Sequence, residues 1–178
     1  MKSITDLLIT ENDLKPKYKL YCDLDGVLCH FKQRFDHFTG MTPKEYRNKY
    51  SENSFWNLID VKIGIEFWSK MGWTPKGREL WNFINDYNPT ILTSPSRHDH
   101  SRIGKKVWVK DNLSPTPKVI FKYSKEKQDL SNENSILIDD KDSNIREWRN
   151  QGGIGIHHPE NTTNIDPVIQ QLKELGYK

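Results

Sequence analysis

The sequence contains no alanine among its 178 residues. Its 34% hydrophobic fraction therefore comes entirely from Val, Ile, Leu, Met, Phe, Trp, Tyr and Cys. Cysteine is almost as scarce. Cys22 and Cys29 are too few for a disulfide framework and lack the companion ligands of a zinc site, so they are expected as reduced, partly buried thiols in a cytoplasmic protein. No apolar run approaches the ~18 residues of a membrane span. The N-terminal MKSITDLLITENDLK mixes acids into its apolar stretch and has no small-residue cleavage site, so it does not read as a signal peptide. An excess of one charge is also missing: 27 basic against 24 acidic residues give +3. That near balance lacks the dense basic footprint of a dedicated nucleic-acid binder. Internal repeats and low-complexity segments are absent too.

What is present suffices for a folded domain. Leu, Ile, Val and Phe supply 43 residues, above the ~20% level below which disorder becomes the default. Aromatics add large side chains to bury. The low mean hydropathy of −0.83 thus reflects abundant Lys, Asn and Asp rather than a missing core. The length suits one domain with a small insert.

Short apolar runs recur at Lys19–Leu24, Thr90–Thr93, Lys118–Phe121, Ser135–Asp139 and Gly153–His157. Runs this short and continuous fit buried strands of a parallel sheet. Helical patterns lie between them: Gly77–Tyr87, Ser101–Leu113 with Ile103, Val107 and Val109 as its apolar residues, Asp142–Gln151 with Ser143 and Asn144 as cap candidates, and Asp166–Leu175 behind Pro167. The alternation predicts a Rossmann-like, three-layer α/β fold with right-handed crossovers. It breaks between His30 and Asn88, where residues 30–73 read as helical and aromatic-rich with no strand-like run. The expected organisation is an α/β core of residues 1–29 plus 74–178, with a small helical cap at 30–73 inserted after the first strand.

Three strand ends carry chemistry. In YCDLDGVL, residues 21–28, an apolar strand closes on Asp23, with Asp25 two residues later and Gly26 as a turn. Ligands of open parallel sheets bind beyond the carboxyl ends of the strands. Two carboxylates sharing such a site repel, so the pair calls for a cation or a raised pKa. In SILIDDKDSN, residues 135–144, another strand closes on Asp139 and Asp140. If both strands end at one sheet edge, hard carboxylate oxygens converge in a set that suits Mg²⁺. In PTILTSPSR, residues 89–97, a third strand closes on Thr93 and Ser94, hydroxyls able to donate to phosphate oxygens. Lys122, Lys125 and Lys127 follow the next strand and offer a cation for charge developing on a phosphoryl group.

Together these residues resemble the four motifs of the haloacid dehalogenase (HAD) superfamily of phosphotransferases: DLDGV at 23–27, ILTS at 91–94, a lysine after the next strand, and LIDDKDSN at 137–144. The resemblance spans nearly all of the chain after residue 18. It implies that Asp23 is the nucleophile, forming an aspartyl-phosphate, and that Asp25 is the general acid and base. Mg²⁺ would be held by Asp23, the backbone carbonyl of Asp25 and Asp140, with Asp139 binding or orienting a metal water and Asn144 behind it. Thr93 and the motif lysine would hold the phosphoryl oxygens. Lys127 lies 12 residues before Asp139 and Lys125 lies 14 before, and the spacing looks most like the nucleotidase branch when Lys127 is the motif residue.

Within the superfamily the chain looks most similar to 5'(3')-deoxyribonucleotidases and their phage and bacterial relatives. DGVLCHF at 25–31, the FW pairs at 55–56 and 67–68, TSPSR at 93–97 and LIDD at 137–140 carry that likeness. It implies base contacts from Phe31, Trp56 and Trp68, and phosphate or sugar contacts from Ser94 and Arg97. Aromatics at helical spacing equally suit a core. His30 departs from the acid of the mammalian enzymes, and the cap is shorter than theirs, so base and sugar preference stay open. His98, His100, His157 and His158 read as helix-start or structural residues. The expected activity is Mg²⁺-dependent hydrolysis of nucleoside monophosphates. The alternatives are a polynucleotide 3'-phosphatase, a sugar-phosphate phosphatase or phosphomutase, and a non-catalytic binding module. The intact acids argue against the last; the first would need a basic groove for the strand, for which the near-balanced charge gives no strong case. The expected partner is a small nucleotide, with no membrane and with nucleic acid left open as a less favoured partner, and the relatives' habit of pairing implies a homodimer.

Overall fold

The computed structural model describes residues 17–178; the N-terminal stretch considered above as a signal peptide lies outside them. Five strands form one all-parallel sheet in the order β3-β2-β1-β4-β5. They are β1 (Lys19–Cys22), β2 (Thr90–Thr93), β3 (Val119–Phe121), β4 (Ser135–Asp139) and β5 (Ile154–His157). Every residue of β2 and β4 is buried, which is why their sequences run apolar without alternation. Successive side chains still serve opposite faces. Leu20, Cys22, Ile136 and Ile138 join one core cluster, and Tyr21, Leu92 and Leu137 join another. Ile145 and Trp148 of α7 (Asp142–Asn150) close the second cluster. The first takes residues from α5 (Gly77–Ile84), α6 (Asp99–Asn112) and α8 (Asp166–Glu174). The fold is a parallel α/β sheet flanked by helices, as the alternation predicts.

The chain leaves β1, builds β2 and β3 outward on one side, then returns to lay β4 against the other side of β1. The order thus reverses at β1, and such a switch point opens a crevice at the carboxyl ends of the strands. Asp23, Thr93 and Asp139 stand at those ends of β1, β2 and β4.

Between β1 and α5 the chain forms α1 (Phe31–Thr39), α2 (Pro43–Lys49), α3 (Glu52–Asn57), a π-helical stretch (Leu58–Ile63) and α4 (Ile65–Ser69). Local signals fix the starts. Thr42 and Glu45 form a reciprocal capping box with Pro43 in the first turn of α2. The segment is held largely by aromatic packing: Phe35 meets Phe55 at 4.9 Å and Tyr46 at 5.3 Å between centroids, and Phe67 meets Trp68 at 5.1 Å.

The buried face of α6 differs from the one its sequence suggests. Ile103 and Val107 read as the inward residues of α6, yet they are 46% and 37% exposed. The helix instead buries Ser101, Gly104, Lys105, Trp108 and Val109. Small residues decide this: a Cβ on Gly104 would lie 2.5 Å from Trp68 Cβ, so only this face lets α6 approach α4. Trp108 then donates through Nε1 to the Met71 carbonyl at 2.7 Å, satisfying a polar group that burial would otherwise penalise.

Candidate active site

Beyond Cys22 the β1 backbone continues for one more pairing, with Asp23 N–H donating to Ile138 O at 2.8 Å. The chain then turns sharply. The amides of Val27, Leu28 and Cys29 all donate to Leu24 O, and Gly26 takes φ +81°. A side chain at Gly26 would also run into the Asp140 carboxylate. Gly26 is therefore required twice, for its backbone conformation and for the closeness of the β1 and β4 strand ends.

Asp23, Asp139 and Asp140 each present a carboxylate oxygen within 4.8 Å of the others. Lys127, from the 3₁₀ stretch Ser124–Leu130, threads into this group. Its Nζ lies 3.0 Å from Asp23 Oδ1 and 2.7 Å from Asp139 Oδ2. Lys127 is 1% exposed, whereas Lys125 is exposed. Burial alone would lower the Lys127 ammonium, but the two carboxylates outweigh it and hold it above its usual range. Asp139 is wholly buried. Both of its oxygens also accept from the Asn144 amide nitrogen, at 3.1 and 2.9 Å, and Oδ1 accepts from Lys141 N–H at 2.9 Å. Asn144 in turn accepts from Ser124 Oγ at 2.5 Å.

Negative charge remains in excess. Burial pushes the Asp23 carboxyl well above the usual range; Lys127 opposes this, while Asp139, Asp25 and Asp140 add to it. Asp140 is pushed up to about 7, first by burial and then by the charges of Asp139, Glu160 and Asp25. Among the described residues Asp140 has no ion-pair partner. A converging all-oxygen set with this surplus is suited to a hard divalent cation such as Mg²⁺.

Asp25 has a different neighbourhood. Thr93 donates to its Oδ2 at 3.1 Å, and Lys105 of α6 makes an ion pair with the same oxygen. Lys105 carries no motif in the sequence. Its signal is that Ser101, Gly104, Lys105 and Trp108 share one helical face, masked by the apolar Ile103 and Val107 on another.

A cleft of about 440 Å³ opens on these groups, lined at its floor by Asp23, Asp25, Gly26, Ser94, Lys127, Asp140 and Asn144. Phe31 and Trp56 line it from the helical segment, and Tyr123 from the loop after β3. Lys32, Lys141 and Glu160 add charge at its walls, with Lys32 paired to Glu160 and His30 Nδ1 3.4 Å from the same carboxylate. Tyr123 is 47% exposed and stood out in no sequence pattern.

Three expected substrate contacts, Trp68, Arg97 and Thr93, fall outside the cleft lining. Trp68 is 3% exposed and packs among Phe31, Phe67 and Lys105, its Nε1 donating to Asp60 Oδ1 at 3.2 Å. Its place is in the core because Gly104 brings α6 onto it. Arg97 is exposed at the approach to α6, where His98 caps the helix. Thr93, expected to meet the phosphoryl oxygens, is wholly buried instead, its hydroxyl donating to Asp25 and accepting from Lys105, and Asp139 is likewise buried behind the lining residues. His100 Nδ1 meets Asp60 O at 2.7 Å and His157 Nε2 meets Asp140 O at 2.9 Å, so both histidines tie backbone segments together.

No family model and no curated protein matches the chain. Among solved structures it is similar to a hydrolase from Streptococcus pneumoniae TIGR4, at 16% identity over 88% of this chain and 99% of that one, with a TM-score of 0.45. It is also similar to a HAD family enzyme from Bacteroides thetaiotaomicron in a magnesium complex, at 17% identity over 83% of this chain and 96% of that one, again with a TM-score of 0.45.

Proposed function

We propose that the protein is a HAD-type phosphomonoesterase that hydrolyses nucleoside monophosphates, with deoxyribonucleotides as the preferred class. The observation that carries this reading is the convergence, in one cleft at the switch point of the sheet, of Asp23, Asp25 and Asp140 with the buried ammonium of Lys127. Uncatalysed hydrolysis of phosphate monoesters is among the slowest of reactions, so covalent catalysis and charge neutralisation are both needed.

Asp23 and Asp140 would hold Mg²⁺ with the Asp25 backbone carbonyl, Asp139 standing behind them. The bound ion would neutralise charge on the phosphoryl oxygens and on the two carboxylates. Asp23 attacks phosphorus, forming an aspartyl-phosphate as the ester bond breaks. Asp25 gives its proton to the leaving oxygen, then takes one from the water that attacks the acyl phosphate and frees inorganic phosphate. Lys127 stays on the Asp23 side, where it holds the nucleophile and meets an incoming phosphoryl oxygen. Ser94 lines the same floor and supplies a donor to the phosphoryl group, while Thr93 steadies Asp25. Phe31, Trp56 and Tyr123 supply faces on which a base can stack, each such contact worth roughly 1–3 kcal/mol in nucleic-acid binders. The residues at 31–69 act as a cap that selects the leaving group.

A phosphatase screen with Mg²⁺ tests the reading. Nucleoside 5'- and 3'-monophosphates of both sugars should release phosphate faster than sugar phosphates or 3'-phosphorylated oligonucleotides. Release confined to oligonucleotide ends would make the protein a polynucleotide 3'-phosphatase instead.

A further inference from the structure

Lys105 is a buried cation that this mechanism leaves without a task. It is 1% exposed, and lysine is almost never fully buried unless paired. An ammonium has three protons to donate, and all three are engaged: with Asp25 Oδ2, with Thr93 Oγ1 at 3.1 Å and with Ser94 O at 2.6 Å. The Trp68 ring closes the remaining side, its centroid 4.9 Å from Nζ. Gly104, the preceding residue, is what lets that ring come so near. The lysine is therefore fixed by strand β2, helix α6 and helix α4 at once.

The consequence falls on Asp25. Its Oδ2 is taken by Lys105 and Thr93, while Oδ1 has only the Cys29 thiol, at a distant 3.9 Å. The carboxylate cannot rotate without breaking the ion pair. We propose that Lys105 is a positioning residue, resting on the phosphomonoesterase reading above: it locks the Asp25 carboxylate so that Oδ1 is the oxygen that carries the proton to the leaving group. The two working carboxylates then have separate lysines, Lys127 for the nucleophile Asp23 and Lys105 for the acid Asp25. As the bond between phosphorus and the ester oxygen breaks, the proton passes from Asp25 Oδ1 to that oxygen. In the second half-reaction the attacking water returns a proton to the same atom.

The leaving group provides the test. A nucleoside 5'-monophosphate expels an alkoxide and needs the acid; p-nitrophenyl phosphate expels a stabilised phenolate and hardly does. General acid catalysis contributes roughly 10²–10⁴-fold, so Lys105→Met and Lys105→Gln should lower kcat on the nucleotide by about 10²-fold or more. Both esters share the second half-reaction, so the comparison is read from the pre-steady-state burst of leaving group: the burst rate on the aryl ester should fall by no more than roughly threefold while that on the nucleotide falls as kcat does, and Lys105→Arg should recover part of the nucleotide activity. In an Asp25→Asn background, Lys105→Gln should cost nothing further on either ester. Equal losses of burst rate on both esters, or a further loss in the Asp25→Asn background, would overturn the proposal. So would failure of Lys105→Gln to fold in that background, where the carboxylate charge is already gone. A wild-type protein inert towards both esters would overturn the phosphomonoesterase reading itself, before any variant is made.

Discussion

The floor of the cleft and the helical segment at 31–69 are held together by different forces. The floor is ionic. Lys127 bridges Asp23 and Asp139, Lys105 pairs with Asp25, and the three acids stand at strand ends fixed by the parallel ladder or in the turn beside them, while the two lysines reach in from a 3₁₀ stretch and from α6. The helical segment is aromatic. Phe31, Phe35, Phe55, Phe67 and Trp68 pack edge to face or tilted, which is worth ~0.5–1.5 kcal/mol per pair beyond area. Charges in a buried site are specific to their partners, whereas packing is shared by many neighbours. Single changes on the floor should therefore be sharp and tied to chemistry, while those in the segment should divide between stability and substrate affinity.

The largest expected effect is on the floor. Asp23→Asn should lower phosphate release by roughly 10⁴-fold or more, as losses of a nucleophile do elsewhere, with the circular dichroism spectrum unchanged. Next comes Lys127→Met, which leaves two buried carboxylates without their cation. Breaking such a pair costs about 3–5 kcal/mol, readable as a lowered urea midpoint, and Mg²⁺ should restore part of the loss. In the helical segment, Trp68→Ala should cost a similar ~3–5 kcal/mol as a core truncation, with equal losses on every ester. Trp56→Ala is the contrasting variant. It should raise KM for nucleotides by the equivalent of ~1–3 kcal/mol and leave a small phosphate ester nearly unaffected. Should Trp56 and Trp68 behave alike, the division of the aromatics into wall and core fails.

The smallest effect concerns pH. The Asp140 carboxyl, raised from its ordinary 3.8 to about 7, is easier to ionise in the unfolded chain than in the folded one. Its contribution to folding is complete below about pH 4, falls as pH rises, and is lost by about pH 7. A bound divalent ion reverses that cost. The rise in Tm on adding Mg²⁺ should then be larger at pH 8 than at pH 5, as differential scanning calorimetry can show.

The two regions were unequally legible in the sequence. Strand ends are announced by short apolar runs closing on acids or hydroxyls, so Asp23, Thr93 and Asp139 could be placed from pattern alone. The spacing that marked Lys127 also agrees with its burial between Asp23 and Asp139. Lys105 was hidden because its helix exposes the residues that look apolar and buries a lysine, an order set by the close approach at Gly104. The aromatics of 31–69 were visible as a group, but which of them line the cleft depends on how short helices and a π-helical stretch are stacked. That is a tertiary property without a fixed sequence period. Tyr123 enters the cleft from a loop after the edge strand β3, where no periodicity applies.

The central claim is that Asp23 is a nucleophile serving a metal-assisted phosphomonoesterase. Its most direct test is release of inorganic phosphate from deoxyribonucleoside monophosphates by wild-type and Asp23→Asn protein, each with Mg²⁺ and with EDTA. Release that needs both Asp23 and Mg²⁺ is the predicted result. Release that persists in Asp23→Asn protein or in EDTA would contradict it.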